Sequence, residues 1–127
     1  METPKRVLVA DDDDDIRDLV SFKLGQAGYD VVAVDDGLKA WASMTEELPA
    51  LAVLDVMMPG LSGLDVLRKV REDERTRNVP VILLTARSRE NDVDTGFASG
   101  ANDYVVKPFS PRELVHRVST VLGRGRG

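Results

Sequence analysis

The sequence of 127 residues contains no cysteine, which excludes a disulfide scaffold and thiol chemistry and fits a reducing compartment. It lacks any apolar run near the ~20 residues needed to cross a bilayer. The opening stretch METPKR has no apolar middle of the kind a secretory signal requires, so a cytoplasmic location and no membrane contact are the expectations. Excess positive charge is also missing. The formal net charge is -5, which argues against direct nucleic-acid binding through a basic face. Internal repeats are absent, and the one biased stretch is a run of aspartates.

Hydrophobic residues make up 43% and charged residues 31% of the chain, an ordinary globular balance for one domain with one core. Apolar, β-branched runs recur at Val7–Ala10, Val31–Val34, Ala50–Leu54, Val81–Leu84 and Tyr104–Val106. Continuous runs of this kind suit strands buried on both faces of a parallel sheet. Segments with helical spacing lie between them. Ile16, Leu19, Val20 and Leu24 share one face, with Gly28 where a helix would end. Leu38, Trp41, Ala42 and Thr45 mark a second helix, and Leu64, Leu67 and Val70 a third. A fourth, over 88–99, carries few large apolar residues, and Leu114, Val115, Val118, Val121 and Leu122 mark a fifth. Ser62 to Asp65 and Ser110 to Glu113 read as capping boxes, with Pro111 at a first helical position. The expected domain covers 1–122. The glycine-rich residues 123–127 read as a flexible tail or the start of a linker.

The five consecutive aspartates, Asp11 to Asp15, follow directly on the first apolar run. Like charges about 4 Å apart repel by about 4 kcal/mol at an effective dielectric near 20. Two separate causes explain the concentration. Asp13, Asp14 and Asp15 suit the start of a helix, where negative charge complements the dipole. Asp11 and Asp12 end a strand, and Asp55, Thr85 and Lys107 end others. In open α/β sheets ligands bind outside the carboxyl ends of the strands. Three carboxylates converging there call for a cation, and hard oxygen ligands suit Mg²⁺.

Four stretches, VLVADDD, LAVLDVMMPGLSGLDVL, VPVILLTA and GANDYVVKPFSPREL, stand in register over most of the chain. With them the sequence resembles the receiver domains of bacterial two-component response regulators, particularly those heading winged-helix transcription factors. The resemblance implies a flavodoxin-like (βα)5 three-layer fold, its five-stranded parallel sheet in the order 2-1-3-4-5. It implies a signalling switch that accepts a phosphoryl group on Asp55 from a sensor histidine kinase or histidine phosphotransfer protein. Mg²⁺ or Mn²⁺ would be held by Asp12, Asp55 and the backbone carbonyl of Met57, with Asp11 holding a bound water. Lys107 would pair with a phosphoryl oxygen, beside a cis Pro108. Thr85 would donate its hydroxyl to the phosphoryl group, and Tyr104 would turn inward as Thr85 moves. The surface of the 88–99 helix, the fifth strand and the last helix would then repack to control an output domain or effector. The same resemblance makes the domain a phosphoacceptor that assists its own transfer, not an enzyme.

Several positions depart from the family pattern. Asn102 stands where an acid is common, and Val93, Ala98 and Ser119 stand where charged residues pair across a dimer. Asp103 and Arg112 remain as a possible pair. A monomer, or a weak phosphorylation-dependent dimer, is therefore the expectation. Met57 and Arg87 lie two residues beyond Asp55 and Thr85, and a thioether cannot polarise water, so self-dephosphorylation is expected to be slow. His116, mid-helix, reads as a surface residue. Two competing readings are an aspartate-nucleophile phosphohydrolase using Asp11 and Asp13, and a flavin-binding module. The first leaves Asp55 and Lys107 without a role; the second meets acids where a phosphate loop should be.

Overall fold

Valine, leucine and isoleucine alternate their side chains to opposite faces along each strand, and this divides the core into two layers. The computed structural model describes residues 3–86, 98 and 100–124. The elements are β1 (Arg6–Ala10), α1 (Asp14–Gln26), β2 (Asp30–Val34), α2 (Gly37–Glu46), β3 (Leu51–Asp55), α3 (Gly63–Glu72), β4 (Val81–Ala86), β5 (Asp103–Lys107) and α4 (Pro111–Arg124). All strand pairs are parallel, and their order is β2-β1-β3-β4-β5. Leu8, Ala10, Ala52, Leu54, Val81 and Leu83 pack toward Ala40 and Met44 of α2 and Val66, Leu67 and Val70 of α3. Val7, Val9, Leu51, Val53, Ile82, Leu84 and Val105 pack toward Val20 and Leu24 of α1 and Leu114, Val118 and Val121 of α4. Among the described residues no helix is long and apolar enough to cross a membrane.

Local signals hold at the helix ends. Asp13 caps α1, its carboxylate accepting from the backbone N–H groups of Asp15 and Ile16. Ser62 and Asp65 form a reciprocal capping box at α3. At α4 the Ser110 hydroxyl accepts from Glu113 N at 3.1 Å, with Pro111 as the first helical residue. Gly28 adopts φ 98° after α1, a left-handed conformation that favours glycine.

Other expectations need correcting. Val31–Val34 does not form a strand buried on both faces. β2 pairs only with β1, at the sheet edge, and none of its residues is fully buried. The α2 face differs too. Gly37, Ala40 and Met44 enter the core, Leu38 is 59% exposed and Ala42 lies outside. The start of α2 sits against the loop before α3: a Cβ on Gly37 would collide with the Leu61 backbone. On α1, Val20 and Leu24 are buried, but Leu19 is 48% exposed. α4 runs through Arg124, past the expected domain end at Leu122. The expected helix over 88–99, with Val93, as well as Arg87 and residues 125–127, lies outside the described residues, apart from Ala98.

Candidate metal centre at the carboxyl edge of the sheet

β1 and β3 are neighbours in register, with Ala10 opposite Leu54. The residues that follow or end them, Asp11, Asp12 and Asp55, therefore meet at one rim. Each offers a carboxylate oxygen, and these oxygens lie within 4.8 Å of one another. Asp11 is wholly buried and Asp55 is 4% exposed, whereas Asp12 faces solvent. Lys107, the last residue of β5, reaches the same corner. Its Nζ stands 3.0 Å from Asp11 Oδ2 and 3.3 Å from Asp55 Oδ2. The peptide bond between Lys107 and Pro108 is cis.

The electrostatics are unbalanced. Three carboxylates face one ammonium. Burial, and then the charge of Asp11, push the Asp55 carboxyl up to about 7, against the opposing pull of Lys107 and the Met57 N–H. That N–H donates to Asp55 Oδ1 at 3.3 Å. Burial works to lower the pKa of Lys107, but Asp11 and Asp55 outweigh it and hold the ammonium above its ordinary value. Asp11 Oδ1 accepts from Asp13 N at 2.9 Å. Asp11 Oδ2 is buried, and the Lys107 ammonium at 3.0 Å is its ion-pair partner. An all-oxygen donor set with surplus negative charge fits a small, hard dication such as Mg²⁺.

β4 brings Thr85 to the same edge. It is 1% exposed and lies one residue beyond Leu84, the register partner of Asp55. Its hydroxyl lies 3.4 Å from the Ala86 carbonyl oxygen. Tyr104 is the register partner of Leu83 and packs, partly buried, on the α2–α3 side of the sheet. Thr85 follows Leu83 by two positions, so strand alternation puts it on the same face as Tyr104. The Met57 side chain is 54% exposed beside the corner. His116 is exposed on α4, as the sequence suggests.

Sequence reasoning missed three contacts. Within the chain the Asp103 carboxylate pairs with Arg117 of α4 at 3.1 Å. Asn102 Oδ1 accepts from Val81 N at 2.9 Å and from Arg71 Nη2 at 3.0 Å, joining the starts of β4 and β5 to α3. Arg17 Nη1 donates to the Asp11 carbonyl at 2.9 Å. Each joins residues distant in sequence or involves the backbone, and neither kind has a periodic signature. The phosphohydrolase alternative loses its acid/base residue, because the Asp13 carboxylate is engaged as the α1 cap.

Comparison with known proteins agrees with this geometry. Residues 7–119 match the response regulator receiver domain family. The chain is 41% identical over 120 residues to the phosphate regulon transcriptional regulatory protein PhoB of Pseudomonas aeruginosa, a match covering 94% of this chain and 52% of that protein. It thus spans about half the length of the curated relatives it matches. Among solved structures, the chemotaxis response regulator CheY4 of Vibrio cholerae superposes with a TM-score of 0.88 at 33% identity, over 94% of this chain and 99% of that one. The receiver domain of a sensor histidine kinase from Pseudomonas aeruginosa, solved with magnesium coordinated in its active-site cleft, gives a TM-score of 0.86 at 30% identity, over 95% of this chain and 99% of that one.

Proposed function

The chain belongs to the response regulator receiver family, and from that membership we infer that Asp55 is the residue phosphorylated when this two-component switch is turned on. Receiver domains are signalling modules, not catalysts. Neither a phosphohydrolase nor a flavin-binding role is supported by the relatives. The observation that carries the assignment is the meeting of Asp11, Asp12 and Asp55 oxygens within 4.8 Å, with Lys107 bridging Asp11 and Asp55.

In this reading an Asp55 carboxylate oxygen attacks the phosphorus of a phosphohistidine on a sensor kinase or phosphotransfer protein. The new O–P bond forms as the P–N bond breaks, and the imidazole leaves with a proton from solvent. Asp12, Asp55 and the Met57 carbonyl would hold Mg²⁺ (Mn²⁺ is an alternative), with Asp11 as a further acid beside the ion. When bound, the ion supplies charge neutralisation and a template for the phosphoryl oxygens. The Lys107 ammonium pairs with another phosphoryl oxygen as a point charge. Thr85 donates its hydroxyl to the phosphoryl group, and Tyr104, on the same sheet face, follows it and repacks the β5–α4 surface. The relatives are transcriptional regulators, two of them DNA-binding by name, so that surface is read by an output domain or effector protein that controls transcription. The receiver acts in the cytoplasm. Asp103, already paired with Arg117, favours a monomer or a weak phosphorylation-dependent dimer.

Incubation with acetyl phosphate or phosphoramidate and Mg²⁺, followed by mass analysis, tests the assignment. One phosphoryl addition is expected, absent without Mg²⁺ and lost in Asp55→Ala. An addition that persists in Asp55→Ala refutes it.

A further inference from the structure

We propose that Arg17 is a positioning residue for the acidic corner: its guanidinium, reaching back from α1, fixes the Asp11 backbone and thereby aims the buried Asp11 carboxylate at the metal site. The inference rests on the reading of that corner as a Mg²⁺ site.

Asp11 has four hydrogen-bonding positions, and three are tied to three different parts of the chain. Its N–H donates to the Val34 carbonyl at the end of β2, at 3.2 Å. Its Oδ1 accepts from Asp13 N at 2.9 Å. Its carbonyl oxygen accepts from Arg17 Nη1 at 2.9 Å. The fourth, Oδ2, is buried and stands 3.0 Å from the Lys107 ammonium that also reaches Asp55, and the Asp11 carboxylate offers an oxygen within 4.8 Å of those offered by Asp12 and Asp55. The ties on the other three atoms set that direction. Two of them come from the adjoining turn and the neighbouring strand. Arg17 is the one of the three whose partner group is a side chain, so a substitution deletes it without altering the backbone.

The guanidinium is held at two points. Nη1 takes the Asp11 carbonyl, and Nη2 is bonded to the Asp14 carboxylate. The Arg17 side chain is 17% exposed and lies along a small cleft with Ala33, Val34, Asp35 and Lys39. A planar fork can span a backbone carbonyl and a carboxylate with fixed geometry, whereas an ammonium on a flexible stem cannot.

A bland alternative treats Arg17 as one more positive charge balancing nearby aspartates. The two roles predict effects of opposite sign. Removing a charge alone leaves the corner more negative, which strengthens binding of a dication. Removing a positioning group frees the Asp11 peptide to rotate and weakens binding. Groups that orient metal ligands are commonly worth 10–100-fold in affinity. Arg17 acts through a backbone carbonyl, so the low end, about tenfold, is expected.

The test is calorimetric titration of the metal-free protein with Mg²⁺ at neutral pH. It compares wild type with Arg17→Met, which keeps the aliphatic stem, Arg17→Lys, which keeps the charge, and Asp12→Asn. Circular dichroism and melting in EDTA establish that each variant is folded. Arg17→Met and Arg17→Lys are both expected to bind Mg²⁺ about tenfold more weakly, with lysine giving no rescue. Affinity in Arg17→Met that is unchanged or tighter overturns the proposal, and so does wild-type affinity in Arg17→Lys. If Arg17→Met does not fold, Arg17→Lys alone decides. Undiminished Mg²⁺ binding in Asp12→Asn overturns the metal reading itself, and the proposal with it.

Discussion

Replacing Asp55 with asparagine destroys the proposed phosphoacceptor, yet it should stabilise the metal-free protein above neutral pH. The Asp55 carboxyl moves from an ordinary 3.8 to about 7 in the folded chain, first through burial and then through Asp11. The sign follows from proton counting. Between these two values the unfolded chain has lost its proton while the folded chain still holds one. Stability therefore falls as pH rises from about 4 to about 7, and the whole penalty is present above that. A gap of about 3 pH units is worth about 4 kcal/mol at 1.36 kcal/mol per unit. Asparagine recovers only part of this, because its amide N–H₂ must sit near the Lys107 ammonium or desolvate elsewhere in the corner. About half, or about 2 kcal/mol, is the expected gain. For a domain of this size 1 kcal/mol moves the melting temperature by about 4 °C, so Asp55→Asn should melt about 8 °C higher in EDTA at about pH 8. The gap should narrow toward pH 4 and close at about pH 3, below the ordinary 3.8, where wild-type Asp55 is mostly protonated in the unfolded chain as well as in the folded one. Saturating Mg²⁺ should also narrow it by raising the wild type. Thermal melts of both proteins across this pH range, with EDTA and with Mg²⁺, provide the assay. A variant that melts at or below wild type at pH 8 in EDTA refutes the reasoning. So would an equal gap at both ends of the pH range.

Three further outcomes follow from the same geometry. Gly63→Ala places a Cβ into the Asp55 carbonyl oxygen at the start of α3. Overpacking of that kind costs about 1–3 kcal/mol, and a lower melting temperature together with weaker Mg²⁺ binding should be measured. Met57→Asn puts an amide that can orient water beside Asp55, where the exposed thioether cannot. The half-life of the acyl phosphate should shorten several-fold, and an unchanged decay rate counts against the assigned role of Met57. Lys107→Met removes the one ammonium bridging Asp11 and Asp55. Phosphorylation by acetyl phosphate should slow by at least tenfold, while Mg²⁺ titration should show binding no weaker than in wild type.

Most of the site was legible in the sequence because its residues stand at strand ends, and strand ends announce themselves. A β-branched run stops at Ala10, Leu54, Leu84 or Val106, and the residues that follow lie on one rim once the strands are parallel. Helix ends were legible for a similar reason: the Ser62–Asp65 box and the glycine after α1 are short-range devices that work within one turn of chain. The α2 face was misread because Leu38 is the larger hydrophobe. The packing of α2 on the sheet and α3 puts Gly37, Ala40 and Met44 on the buried face.

The sequence by itself therefore determined the elements, their ends and the chemistry available at the rim, since all of these depend on residues within a few positions of one another. Tertiary structure alone decided how far each strand was buried, which arginine met Asp103, that Arg17 clasps the Asp11 carbonyl, and that Asp55 titrates near neutrality. Those outcomes depend on burial and on partners many residues away. Neither is defined until the two helical layers close on the sheet.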